Sequence, residues 1–138
     1  RMEEIDQPTA ALIKDLKQRG LLDETLIIWG GEFGRTPMVE IRKPEDATNA
    51  GRDHHPNAFS MWLAGGGIRR GHIHGATDEL AHRAVTDVVN HYDYHATLFH
   101  LFGLDIDQVT LARPSGIASL TDGQPGRVVP GILQRPTQ

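Results

Sequence analysis

Gly51-Arg52-Asp53-His54-His55-Pro56 sets a carboxylate beside two imidazoles on a stretch stiffened by proline, just ahead of an apolar run. Zinc and manganese accept nitrogen and oxygen donors together. Asp53, His54 and His55 are therefore candidate ligands for a divalent cation. The plainer alternative is a histidine pair on a solvated loop, holding backbone carbonyls or nothing. A second stretch, Gly30-Gly31-Glu32-Phe33-Gly34-Arg35, follows directly on an apolar run. Its glycines permit close backbone approach. Glu32 stands where a metal ligand or base at a strand end would be, and Arg35 suits a bidentate grip on an oxyanion. The plainer alternative is a tight turn whose charges face water.

The chain holds eight histidines, many for its length. His91 and His95 are one helical turn apart, a spacing that can chelate a metal. Asp93 between them is equally an N-cap. His100 reads as structural, on the apolar side of the same helix. His72 and His74, in Gly-His-Ile-His-Gly, read as a turn or short strand. Thr77-Asp78-Glu79 reads as a cap for a following helix, with an acidic ligand as the alternative. No Gly-x-Ser-x-Gly elbow and no Gly-x-x-x-x-Gly-Lys loop occurs, so nothing resembles an activated nucleophile.

The bulk properties narrow the classes. The 138 residues suffice for one ordinary domain with a core. Hydrophobic content of 38% with 23% charged residues is that of a globular chain. A net charge of −4 without a basic stripe argues against nucleic acid as a partner. Without cysteine there are no disulfides, thiolate ligands or cysteine nucleophiles. No apolar run approaches the roughly 20 residues of a membrane span. The 15 glycines and 8 prolines imply much loop.

The elements that must position these residues follow from periodicity and stop signals. Pro8 to Arg19 predicts a helix ended by Gly20. Thr25 to Trp29 and Ala58 to Ala64 are unbroken apolar runs, which read as strands buried on both faces of a parallel sheet. Val39 to Asn57, with Pro44, Asn49, Gly51 and Pro56, reads as one long loop. Val85 to Val89 is a short strand or a helix start. Tyr94 to Phe102 predicts a helix with Leu98, Leu101 and Phe102 inward and Gly103 as its stop. Leu120, Val128, Val129, Ile132 and Leu133 suggest a terminal hairpin or a strand-helix element. Helix, strand, glycine loop, strand, helix is the α/β pattern, with ligands expected beyond the strand ends. On that reading Glu32, His54 and His55 converge at one edge of the sheet. The chain opens Arg1-Met2-Glu3-Glu4 and runs straight into its helix, which reads as a piece of a longer chain.

Several stretches carry a resemblance. Thr-Leu-Ile-Ile-Trp-Gly-Gly-Glu-Phe-Gly-Arg-Thr-Pro (25–37) is followed by Gly-Arg-Asp-His-His-Pro (51–56) and Ala-Gly-Gly-Gly-Ile (64–68). Gly-Ala-Thr-Asp-Glu-Leu (75–80) and Asp-Tyr-His-Ala-Thr-Leu-Phe-His-Leu-Phe-Gly-Leu-Asp (93–105) come next. In this order they resemble the end of the bacterial sulfatase-like family catalogued as domain of unknown function 1501, over nearly the whole chain. That family is placed in the alkaline phosphatase superfamily. The resemblance implies an α/β/α sandwich around a mostly parallel sheet, with residues 1–138 as the C-terminal portion of one such domain. It also implies phosphate or sulfate ester hydrolysis at one or two metals, with a nucleophile from the N-terminal half. An Asp-His pair is expected after a buried strand and a later histidine before another. Here Gly31-Glu32 stands at the first position, and His55 or His54 matches the second. The family likeness suggests a bacterial protein and leaves export open.

The expectation from sequence is a metal-dependent hydrolase of sulfate or phosphate esters, lacking its nucleophile, acting on a small-molecule or polysaccharide ester. Glu32, Asp53, His54 and His55 hold a divalent metal (zinc, manganese or calcium), and Glu32 and Arg35 serve the reaction. The alternative is a non-catalytic alkaline-phosphatase-like binding or accessory module.

Overall fold

A computed structural model describes residues 2–39, 41, 43, 48 and 50–134. Pro44 and Asn49, two of the loop signals, lie outside the described residues. The first helix, α1, spans Met2–Gln18 and carries Pro8 inside it, so it starts earlier than the proline suggests. Acidic residues precede Pro8 and Lys17 lies in the last turn, an order that complements the helix dipole. Gly20, at φ +70°, adopts the left-handed conformation that ends helices.

The strands that follow are short. They are β1 (Leu26–Trp29), β2 (Gly34–Val39), β3 (Arg52–His55), β4 (Trp62–Gly65), β5 (Ala76–Thr77) and β6 (Ala84–Thr86). Helix α2 (His91–Leu101) precedes β7 (Thr110–Arg113) and β8 (Gly116–Ser119). Single 3-10 turns lie at Leu22–Glu24, Ile106–Gln108 and Pro130–Ile132. The strands pair two by two, as β1–β4, β2–β3, β5–β6 and β7–β8.

This overturns the expected α/β/α sandwich around a mostly parallel sheet. Among the described residues no sheet exceeds two strands, and β2–β3, β5–β6 and β7–β8 are antiparallel. The apolar run of β1 misled because an unbroken run does not distinguish a central strand from one with a single neighbour. Ile28 and Trp29 remain 43% and 39% exposed, whereas a strand covered on both faces would bury them. In β5–β6 and β7–β8 closely spaced turn residues let each strand pair with its neighbour in sequence. Closing a short loop costs less entropy than bringing distant strands together.

The described residues form two compact units. The first is drawn from Arg1–Ile27, Leu63–His72 and Val89–Gln138. It contains Ile68, Ala96 and Ile106, the buried apolar side chains among the described residues. Its ends are tied by main-chain bonds. Arg69 N donates to Ile132 O at 2.8 Å, Gln134 N donates to Gly67 O at 2.7 Å, and Ile68 bridges Leu133. Helix α2 is capped by Asn90, whose side chain accepts from Asp93 N at 2.9 Å. Asp93 is therefore not the N-cap. It is buried, and its carboxylate accepts from Arg127 N at 2.8 Å. Phe102, expected inward, is 67% exposed just past the helix end, and His100 also faces solvent.

The second unit is drawn from Ile28–Trp62 and Ile73–Val88. It contains the β2–β3 and β5–β6 pairs, joined where Ala84 N donates to Asn57 O at 3.2 Å. Trp29 and Trp62 stack within it, ring centroids 6.2 Å apart and planes within 8°. The β5–β6 turn is held by Asp78, whose carboxylate accepts from His82 N at 2.7 Å. Asp78 thus caps a hairpin turn, not a helix.

Candidate functional site

The two chemistry-bearing stretches meet in the β2–β3 ladder. Gly34 stands opposite His55 and Arg35 opposite His54, and the register shifts between Arg35 and Val39. The sequence reading places residues 51–56 on a long loop, but Arg52 to His55 form a strand. The convergence therefore comes from antiparallel pairing, not from neighbouring ends of a parallel sheet.

Side chains alternate across a strand, so the ladder sorts the candidates by face. Arg35 and His54, paired across the ladder, share one face. Gly34 and His55 share the other. The His55 face is closed: His55 is 8% exposed, and Gly34 is buried with it. A Cβ at Gly34 would stand 2.8 Å from the His55 carbonyl oxygen and 2.9 Å from the Phe59 Cβ. Only glycine lets β2 lie this close to the chain at 58–59. The His55 Nε2 is buried without a hydrogen-bond partner among the described residues. That costs about 1–3 kcal/mol unless another group satisfies it.

The opposite face is open to solvent. The Phe33 and His54 rings stack at 4.9 Å. The Arg35 guanidinium reaches Glu32 Oε1 at 3.5 Å, with side chains 49% and 65% exposed. Such an ion pair contributes little, and both charges stay available to a ligand. Asp53 is exposed, and its carboxylate accepts from His54 N at 2.8 Å. By alternation it belongs to the His55 face.

This sorting separates the four candidate metal ligands. Adjacent strand residues point to opposite sides, so His54 and His55 do not present both imidazoles to one ion. Among the described residues no three His, Cys, Asp or Glu side chains gather closely enough to hold a metal. His55, with its buried Nε2, fits a metal as a single ligand, with Asp53 on the same face by alternation. Glu32 lies beside Arg35 in an exposed ion pair at 3.5 Å. The present residues fit a cation in part and do not close a shell.

The remaining histidines are placed otherwise. His95 Nδ1 lies 2.6 Å from the His91 carbonyl oxygen, so the pair is joined through backbone and not through two ring nitrogens. The His91 ring packs against Tyr92 at 3.8 Å. His72 and His74 are half-buried. Tyr94 beside His95 has its pKa raised by burial.

Sequence reasoning missed the polar clip between Asp93, Thr97, Arg127 and Val129. Thr97, 1% exposed, donates to Asp93 O at 2.7 Å and accepts from Val129 N at 3.0 Å. Arg127 and Val129 lie some thirty residues from Asp93 and Thr97 in sequence, with no local signal linking them.

No helix among the described residues is long and apolar enough to cross a membrane. No curated protein and no solved structure matches this chain. One family does, over residues 1–133 and so nearly end to end: the chain belongs to the family described as protein of unknown function (DUF1501).

Proposed function

We propose that the β2–β3 ladder is part of a site for phosphate or sulfate esters in a metal-dependent hydrolase. The substrate class is a small-molecule or polysaccharide ester. The observation that carries this reading is the register: it sets Arg35 directly across from His54 on the open face, and His55 across from Gly34 on the closed one. Two cationic or donor side chains facing each other favour an anionic group between them, and a guanidinium matches a phosphate or sulfate bidentately. Arg35 would bind non-bridging ester oxygens, His54 would donate a further hydrogen bond, and Glu32 would keep the guanidinium aimed until the ester displaces it. The Phe33 ring against His54 holds the imidazole in place.

His55 is the residue that would take a divalent cation, with Asp53 on the same face. Zinc, manganese or calcium bound there would polarise an ester oxygen. The likeness to the alkaline phosphatase superfamily supports this reading through the order of its motifs, not through architecture.

The test is calorimetric titration of zinc or manganese, and separately of sulfate, into the protein and its variants. His55→Ala should abolish most metal binding while His72→Ala leaves it near the parent value. Arg35→Ala should weaken sulfate binding about tenfold, the scale of a lost charge-assisted hydrogen bond. Equal metal affinity in both histidine variants and the parent removes His55 from the site. Unchanged sulfate affinity removes Arg35.

A further inference from the structure

Helix α1 has an apolar stripe that the described residues cover only in part. Ile5, Thr9, Leu12 and Leu16 recur at alternating intervals of four and three, with Ile13 beside them. That spacing puts them in one row along the helix. Ile5 and Leu12 are 47% and 49% exposed, and Thr9, Ile13 and Leu16 are only half-covered. An isolated helix of this length is marginal in water, and its stability must come from packing of that row.

With the exception of Asp15, which pairs with Arg19, the charges flanking the row are segregated along the helix. Acidic Glu4 and Asp6 lie in its first half, and Lys14 and Lys17 in its second, with Arg19 just past the end. At about 100° per residue, Asp6 and Lys17 fall on one flank of the stripe and Glu4 and Arg19 on the other. When two identical helices pack antiparallel about a two-fold axis, like flanks meet. Setting Ile5 against Leu16 of a second copy, and Thr9 against Leu12, brings Asp6 within reach of Lys17 of that copy on one flank. Glu4 meets Arg19 of that copy on the other. The existing Arg19–Asp15 pair at 2.9 Å is exposed on both sides and does not preclude this. A parallel pair would instead bring opposite flanks together, setting Asp6 near Glu4 and Lys17 near Arg19 of the second copy, like charge against like.

The geometry points to α1 as a self-association surface whose partner is the same helix of a second copy, packed antiparallel. This is independent of the proposed ester site. Two helices of this length make a contact toward the small end of specific interfaces, which bury about 1,200–2,000 Å². The dimer is therefore reversible and concentration-dependent.

Sedimentation equilibrium of the full chain from low to high micromolar concentration tests this. The parent should shift from monomer to dimer across that range, and Leu12→Asp should stay monomeric. Leu12 is half exposed, so the substitution empties no core, and an unchanged far-ultraviolet spectrum verifies that the variant is folded. Asp6→Lys and Lys17→Asp should each weaken the dimer about tenfold, and the double variant should regain the parent affinity, since it restores opposite charges on every flank. A purely structural role for either side chain would not produce that rescue. A parent that stays monomeric throughout overturns the proposal. So does a dimer indifferent to Leu12→Asp, or a monomer whose stripe instead binds anionic vesicles.

Discussion

Gly34 faces His55 across the β2–β3 ladder with no room for a side chain between the strand and residues 58–59. The glycine is required for space and not for an unusual backbone angle. Gly34→Ala should destabilise the protein by about 1–3 kcal/mol, the range for overpacking a closed contact. It should also disturb the pairing of Arg35 with His54. Chemical denaturation checks the first effect, and sulfate titration at fixed temperature checks the second.

Thr97 and Asp93 fasten α2 to the segment at 127–129. Thr97→Val keeps the shape but leaves the Val129 N–H and one turn of α2 without their hydroxyl partner. The expected loss is about 1–3 kcal/mol. Thr97→Ser, which keeps the hydroxyl, should recover most of it. Urea midpoints for the two variants give the comparison.

Ala81 adopts φ 56° at the tip of the β5–β6 hairpin. A left-handed alanine costs about 1–2 kcal/mol, partly offset in any exchange by the greater chain entropy of glycine. Ala81→Gly should therefore raise stability by about 0.5–1 kcal/mol. Thermal unfolding that shows no increase would mean the turn is held by Asp78 strongly enough to absorb the strain.

Tyr94 ionises above its usual range because burial disfavours the phenolate. Its folded-state pKa exceeds the unfolded one. The associated stability is therefore fully present below about pH 10 and is lost as pH climbs through the folded value. Tyr94→Phe should flatten that alkaline decline without altering stability near neutrality. Ultraviolet titration of the phenol, with denaturation at matched pH, follows both.

Much of the secondary structure is written in local signals. Gly20 ends α1, the 25–29 run becomes β1, the 85–89 run begins in β6, and Gly103 follows α2. The sheet architecture is not local. Whether Leu26–Trp29 sits centrally or beside one neighbour depends on partners far along the chain, which its apolar run does not name. The site was half legible: Arg35 and the His54–His55 pair stand out by type and spacing, but their opposition is a matter of register. Residues 52–55 alternate in a strand that polar composition disguises as loop. The Asp93–Arg127 contact was illegible, because a carboxylate three residues after Asn90 looks like a cap in its own right.

The Trp29–Trp62 stack has a spectroscopic consequence. These are the two tryptophans of the chain, and they lie in one parallel pair. All indole emission therefore originates at one spot on β1 and β4, where the rings are near enough to exchange excitation. A fluorescence or near-ultraviolet dichroism signal reports the parting of those two strands. Fraying of α1 or the β7–β8 hairpin leaves it silent, and an unfolding curve read by tryptophan alone describes that strand pair.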